Sequence, residues 1–265
     1  MLKDSHALIT HKECWKDYYL FSLESPIIAS QAQPGQFIMV RVSSLSYPLL
    51  RRPFSIHSVE GKNIEIFFQI SGVGTSLLSN KITGDFMDII GPLGKGFSWD
   101  QHSKTQDVVL IGGGQGIAPL YFLAQKLYSV GTTPIIFYGG KTKDDIPLKE
   151  KFEQKGFEIY CSTDDGSFGF RGLITDCFKD QLKNLAPKQI FACGPEPMME
   201  AISQVATKKG IPAEFSLESV MGCGFGACWG CVKKIKTKEG IEWVKICEEG
   251  PVFSSFEIVW EGQEK

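Results

Sequence analysis

Long apolar runs are missing from this chain: nowhere do roughly eighteen apolar residues follow one another, the length a membrane-spanning helix requires. The first ten residues, Met1-Leu-Lys-Asp-Ser-His-Ala-Leu-Ile-Thr10, carry charges where a secretory leader needs its apolar stretch, so the expected compartment is the cytoplasm. Strong charge of either sign is also lacking. A net charge of -2, without an acidic or basic tail, gives no electrostatic reason to expect nucleic acid. Histidine is scarce, and His6, His11 and His102 offer no cluster; His57 reads as a packed or surface side chain.

What is present is an ordinary globular composition, 43% hydrophobic and 22% charged over 265 residues, long enough for about two domains and a sizeable core. Cysteine is the exception to this ordinariness. Three thiols, Cys223, Cys228 and Cys231, are spaced C-x4-C-x2-C, and a fourth, Cys247, follows after fifteen intervening residues. That order is expected of a plant-type [2Fe-2S] loop, in which two thiolates serve each iron and the chain wraps round the cluster. Gly222, Gly224, Gly226 and Gly230 permit the wrap and let backbone N–H groups approach sulfur.

Lys233 and Lys234 either offset cluster charge or are a solvated face. Four thiolates also suit tetrahedral zinc, although structural zinc sites favour two short paired motifs and only one C-x2-C occurs here. A disulfide framework fits a chain of this length poorly. Cys14, Cys161 and Cys177 are scattered and are expected to be reduced and buried. Trp229 and Phe225, beside the cluster loop, either face a partner or shield the metal.

Ahead of that loop the chain divides by texture. Residues 1–103 read as short strands and tight turns, an antiparallel β-barrel, with strands at Phe37 to Val42, Leu49 to Val59, Ile64 to Ile70 and Phe86 to Ile90, the last running into a Gly91-Pro-Leu-Gly turn. Arg52, Pro53, Phe54 and Ser55 place a guanidinium, a ring and a hydroxyl on an extended segment, because proline excludes helix there. Gly72-Val-Gly74-Thr75 reads as a glycine turn opening a helix, suited to a pyrophosphate.

Residues 104–215 alternate strands with helices, an α/β nucleotide domain with a parallel sheet. Val108 to Ile111 is a buried strand, and Gly112, Gly113, Gly114 and Gly116 lead into a helix through Leu120, Leu123 and Leu127. The Gly-x-Gly-x-x-Gly fingerprint is absent, since Ile117 stands at its last glycine, so the nucleotide is expected to lie differently from a Rossmann ligand. Asp164 and Asp165 either repel a 2′-phosphate, favouring NAD over NADP, or are turn residues. Cys193 at a strand end either borders a nicotinamide ring or is a small buried hydrophobe. Residues 216–265 form the small C-terminal cluster domain, and the apolar tail Phe256 to Trp260 is expected to pack back or meet another chain.

With these motifs in order, the chain resembles the ferredoxin-reductase superfamily over most of its length, and within it the electron-transfer subunits of NAD-dependent dihydroorotate dehydrogenases. The resemblance rests on Arg52-Pro-Phe-Ser55, Gly72-Val-Gly-Thr75, Gly112-Gly-Gly-Gln-Gly-Ile-Ala-Pro-Leu120, Thr163-Asp-Asp-Gly-Ser167, Cys193-Gly-Pro-Glu-Pro-Met-Met199 and the Glu218 to Cys231 cysteine loop with Cys247-Glu-Glu-Gly-Pro-Val-Phe253. It implies FAD in the barrel, NAD in the α/β domain, a [2Fe-2S] cluster on the four cysteines, and a partner subunit that carries FMN and oxidises dihydroorotate. It further implies that Arg52, Pro53, Phe54, Ser55, Phe67, Phe68, Gln69, Gly74 and Thr75 hold FAD. Gln69 departs from the arginine frequent there, which removes a phosphate contact. A reductase serving an oxygenase, a ferredoxin or a sulfide-type partner, and a zinc-stabilised nucleotide sensor, are the competing readings.

Overall fold

The computed structural model describes residues 1–43, 47–99 and 107–260. Six strands, β1 (Leu2–Trp15), β2 (Tyr18–Glu24), β3 (Phe37–Arg41), β4 (Arg52–Glu60), β5 (Asn63–Gln69) and β6 (Phe86–Leu93), close into an antiparallel barrel in the order β1-β2-β5-β4-β3-β6. Two short helices, α1 (Pro26–Ala29) and α2 (Val73–Ser79), lie between strands. Alternation decides which side chains fill the barrel. On β5, Ile64, Ile66 and Phe68 join the barrel core, whereas Phe67 points outward into the apolar cluster shared with the following domain.

Two strand ends differ from the sequence expectation. Residues 49–51 are not in the strand, which begins at Arg52, and β6 continues through Gly91 and Pro92 to Leu93 instead of turning. The continuation follows from long-range pairing, with Gly91 opposite Leu2 and Leu93 opposite Phe37. A side chain at Gly91 would collide with Ile38, so glycine here serves close strand approach.

The second layer begins with β7 (Val108–Gly113), α3 (Ala118–Ser129), β8 (Ile135–Gly140), α4 (Lys149–Gln154), β9 (Ile159–Thr163) and β10 (Phe170–Arg171). It continues through α5 (Ile174–Gln181), β11 (Gln189–Cys193), α6 (Glu196–Lys209) and β12 (Ala213–Ser216). The C-terminal segment adds a β13 (Val232–Thr237) and β14 (Gly240–Lys245) hairpin, α7 (Ile246–Glu249) and β15 (Val252–Ser254). The sheet order is β10-β9-β8-β7-β11-β12-β15, parallel except for β15. Val108, Val109, Leu110 and Ile111 are fully buried, the continuous apolar run of a strand covered on both faces.

The C-terminal tail packs back. Phe253, Ile258 and Trp260 are buried, and Lys95 after β6 donates its N–H to the Gly250 carbonyl at 2.5 Å. Because β15 pairs with β12, residues of the expected third domain complete the sheet of the second. The expected boundary at 103/104 lies outside the described residues. Cys161 and Cys177 are buried as expected, but Cys14 is exposed, since it occupies a solvent-facing position of β1.

His57 ties the two layers together. Its ring is fully buried, stacks on Tyr121 of α3 at 4.6 Å and places Nδ1 2.9 Å from the Ala118 carbonyl. The ring therefore donates from Nδ1 in its neutral form. Its Nε2 is buried without a partner.

Candidate functional site

Two cavities open on the seam between barrel and sheet. The first, about 510 Å³, lies at the carboxyl ends of the parallel strands and is lined by Gly113, Gly114, Gly139, Asp164 and the Gly194-Pro195 turn, the location where α/β sheets take ligands. Tyr18 reaches it from the barrel and donates its hydroxyl to Asp145 Oδ1 at 3.0 Å. Asp145 Oδ2 in turn accepts from the Thr142 N–H at 3.0 Å and its hydroxyl at 3.2 Å, so one carboxylate fixes the floor.

The second cavity, about 570 Å³, is lined by Arg52, Pro53, Phe54, Ser55, Phe67, Phe68, Gly74 and Thr75. It brings together eight of the residues expected to hold a flavin nucleotide. Gly74 has a steric task, because a β-carbon there would lie 3.1 Å from Arg52 Nε. The guanidinium crosses the start of α2 and is steadied by the Leu50 carbonyl at 2.8 Å and the Arg51 carbonyl at 3.3 Å. The neighbouring Arg51 is engaged elsewhere, with Asp88 at 2.8 Å.

In the glycine turn, the N–H groups of Ser71 and Gly72 are already satisfied by Thr75 Oγ1 at 2.9 and 3.2 Å. Those of the next residues remain for a ligand. Aromatic walls, a free guanidinium edge and a volume in the range of cofactor sites fit a flavin nucleotide.

Three expected residues are placed differently. Gln69 lines the first cavity, not the second. Gly116 lines neither; it packs its α-carbon against the Cys193 carbonyl, where any side chain would collide. Asp165 turns away from the cavity to accept from the Ser167 N–H at 2.9 Å and hydroxyl at 2.6 Å, leaving Asp164 as the lining acid. Cys193 is buried at the end of β11 and lines the second cavity; burial pushes its thiol well above the ordinary range, so it stays protonated.

Two residues were not singled out by sequence reasoning. Gln115 and Glu218 wall both cavities, and Glu218 is open to the cavity space while its surroundings raise its carboxyl above the usual carboxylate range by burial. The only sequence signal for them was adjacency to motifs, the glycine turn for one and the cysteine loop for the other.

The cysteine loop starts where the second cavity ends. Met221 lines that cavity two residues before Cys223, and Gly224 lies so close to Met39 of β3 that a side chain would not fit. The thiols fall into two pairs. Cys228 is the thiol neighbour of Cys223, and Cys231 that of Cys247, and all four are free cysteines. Burial alone would raise the Cys223 thiol, but N–H groups of Phe225, Ala227 and Cys228 point at its sulfur and bring it down to about 7. Burial and its bond to Cys231 hold Cys247 up at about 12, opposed by the Gly226 N–H, which lies 3.1 Å from its sulfur.

Four cysteines in the C-x4-C-x2-C order with Cys247 following, and N–H groups directed at sulfur, fit a two-iron cluster. Gly224 at φ 82° and Gly226 at φ 86° supply the backbone shape that wrapping requires.

The family described as "Iron-sulfur cluster binding domain of dihydroorotate dehydrogenase B" matches residues 218–259, and "Oxidoreductase NAD-binding domain" matches residues 110–204. The chain is 37% identical over 260 residues to the dihydroorotate dehydrogenase B (NAD(+)) electron transfer subunit of Desulforamulus reducens, covering 97% of this chain and 98% of that one. The chain belongs to this family.

A Geobacillus member is 36% identical over 261 residues, covering 98% of this chain and 99% of that one. Among solved structures, a chain of an NADH-dependent reduced ferredoxin-NADP oxidoreductase is similar with a TM-score of 0.84 at 28% identity, covering 97% of this chain and 91% of that one. The ferredoxin reductase of a carbazole 1,9a-dioxygenase, with a TM-score of 0.66 at 20% identity over 81% of this chain and 68% of that one, shares the fold. Barrel, nucleotide-binding sheet and C-terminal iron–sulfur segment are thus the architecture of the family. No helix among the described residues is long and apolar enough to cross a membrane.

Proposed function

We propose that the chain is the electron-transfer subunit of a cytoplasmic dihydroorotate dehydrogenase of pyrimidine biosynthesis, taking electrons from an FMN-containing catalytic subunit and delivering them to NAD. The observation that carries this reading is the row formed by the first cavity, the second cavity and the paired cysteines. Gln115 and Glu218 join the first two, and Met221 joins the last two. A flavin supplies the exchange between hydride transfer, which moves two electrons, and an iron–sulfur centre, which takes one.

Each part of the chain has a role in that reading. Arg52 binds the nucleotide phosphates, and Phe54, Ser55, Phe67, Phe68, Gly74 and Thr75 shape the flavin cavity. Gly113, Gly114 and Asp164 would receive the dinucleotide in the neighbouring cavity, and the protonated Cys193 thiol lines the flavin cavity. Cys223, Cys228, Cys231 and Cys247 would hold the iron–sulfur cluster. Gly226 donates to sulfur, and each hydrogen bond there raises the reduction potential by stabilising the added electron. The three proposed units, residues 1–103, 104–215 and 216–265, correspond to these tasks.

The test is purification with the FMN subunit, followed by visible and EPR spectra and a dihydroorotate-plus-NAD assay. A flavin spectrum, a rhombic signal after dithionite and NADH formation are expected. Zinc without acid-labile sulfide, or no NADH formation by the assembled subunits, would refute the reading.

A further inference from the structure

Gln69 closes β5 on the side of the barrel that faces the nucleotide sheet. Ile64, Ile66 and Phe68 fill the barrel, while Phe67 leaves it for the cluster shared with the sheet, and Gln69 follows Phe67 on that outer side. On the neighbouring strand Leu20 lies opposite Phe67 and Tyr18 opposite Gln69, so these four side chains share one face. Leu20, Phe67 and Tyr18 are buried, and the Tyr18 ring stacks on that of Phe67 at 5.6 Å. Gln69 is half-buried and reaches the first cavity.

Its position is held from both ends. The backbone pairs with Tyr18, and the next residue, Ile70, donates its N–H to the Asp17 carbonyl at 2.8 Å. The side-chain amide nevertheless has no hydrogen-bond partner among the described residues. A glutamine engaged in holding the fold looks different. The Gln36 amide donates to the Gly94 carbonyl at 2.9 Å and accepts from the Gln33 N–H at 2.8 Å. A neutral donor and acceptor fixed on a cavity wall and left unused suit a ligand group that is itself neutral and offers both.

Location decides which group that is. Gly113 and Gly114, after β7, and Asp164, after β9, line the sheet side of the cavity, whereas Tyr18 and Gln69 are its barrel residues. Ser71, two positions beyond Gln69, already lines the second cavity. A dinucleotide that exchanges hydride with a flavin held there brings its nicotinamide, not its adenine, to the barrel side. The nicotinamide ring carries one neutral donor–acceptor group, its carboxamide.

We propose, on the NAD reading of the first cavity, that the Gln69 side chain recognises the nicotinamide carboxamide through paired amide–amide hydrogen bonds and so selects the pyridine head of the dinucleotide. A carboxylate in place of the carboxamide has no N–H for the Gln69 oxygen and sets two acceptors against each other. An arginine at position 69 reverses that preference, because a guanidinium takes a carboxylate through two charge-assisted bonds.

The test titrates the full-length, cofactor-loaded chain and its Gln69→Leu and Gln69→Arg variants by calorimetry. The probes are NAD, nicotinic acid adenine dinucleotide and nicotinamide hypoxanthine dinucleotide. Flavin and cluster spectra are expected to be the same in all three proteins. The wild type is expected to prefer NAD over the acid analogue, and Gln69→Leu to narrow that preference by about tenfold. Gln69→Arg is expected to bind the acid analogue more tightly than the wild type does. Discrimination against the hypoxanthine analogue is expected to stay the same throughout. A wild type that binds NAD and the acid analogue equally, or a preference unchanged in both variants, overturns this assignment alone. Loss of discrimination against the hypoxanthine analogue places Gln69 at the adenine, and loss of the flavin from Gln69→Leu gives it to the other cavity; either result also overturns it. No binding of NAD by the loaded wild type overturns the functional reading beneath it.

Discussion

The Cys193 carbonyl occupies the space a side chain on Gly116 would need. This contact joins the glycine turn after β7 to the end of β11, and the Gly194-Pro195 backbone that follows lines the first cavity. Gly116 thus acts by letting two cavity walls meet, not by touching a nucleotide.

Gly116→Ala is therefore expected to force the two segments apart. Overpacking of this kind costs about 1–3 kcal/mol, and the displaced segments carry nucleotide-lining residues. The expected outcome is a lower melting temperature together with weaker NADH binding, measured by thermal denaturation and fluorescence titration. Gly114, at φ 54° with open space where its β-carbon would lie, is expected to lose less binding on substitution by Asn, which tolerates that conformation.

At the cluster loop the expectation concerns metal content. Replacing Cys223, Cys228, Cys231 or Cys247 by Ser should remove most iron and acid-labile sulfide, while the flavin band stays, because the second cavity keeps its walls. Gly226→Ala should act through two routes. Its φ of 86° disfavours a side chain, and the new β-carbon would press on the Glu248 carboxylate. The N–H donated to Cys247 would shift, and a lower cluster potential in a redox titration would report its loss.

The sequence made legible what depends on local spacing. Four cysteines within 25 residues announced their common site, and the glycine turns announced nucleotide cavities, because both signals are read over a few neighbouring positions. Long-range pairing was hidden. Gly91-Pro92 reads as a turn until Leu2 and Met39 are known to flank β6, and the Val252–Ser254 segment gives no hint that it completes a sheet begun near residue 108. Glu218 escaped notice for the same reason: its importance comes from two walls meeting, which no spacing encodes. The β13–β14 hairpin was masked by its own charge, since among its β13 positions only Ile235 is buried.

His57 gives a prediction about pH. Burial lowers its pKa to about 4, with Glu65 pulling the other way and Lys151 adding to the depression. In the unfolded chain the ring has its ordinary value near 6.5. Between these values the unfolded state binds more protons than the folded state, so stability is full above about pH 6.5 and falls as the pH drops toward 4. The loss amounts to at most about 3 kcal/mol. His57→Gln keeps a donor for the Ala118 carbonyl but does not titrate. Denaturant midpoints measured from pH 7 to pH 4 should therefore fall less steeply in this variant than in the wild type, whatever its stability at pH 7.

The two neighbouring acids after β9 make a discriminating pair. Asp164 lines the first cavity, whereas the Asp165 carboxylate is held by Ser167, whose N–H and hydroxyl lower its pKa. A 2′-phosphate approaching the cavity meets the first charge directly and the second only at longer range. Asp164→Asn is thus expected to improve NADPH binding relative to NADH by about tenfold, the scale of one like-charge contact in a solvated cleft. Asp165→Asn should change that ratio much less and instead loosen the 165–167 turn. Dissociation constants for both nucleotides, measured by quenching of flavin fluorescence at two ionic strengths, separate the cases. A change in preference that is equal for the two variants would mean that net charge near the rim, and not the lining carboxylate, selects the nucleotide.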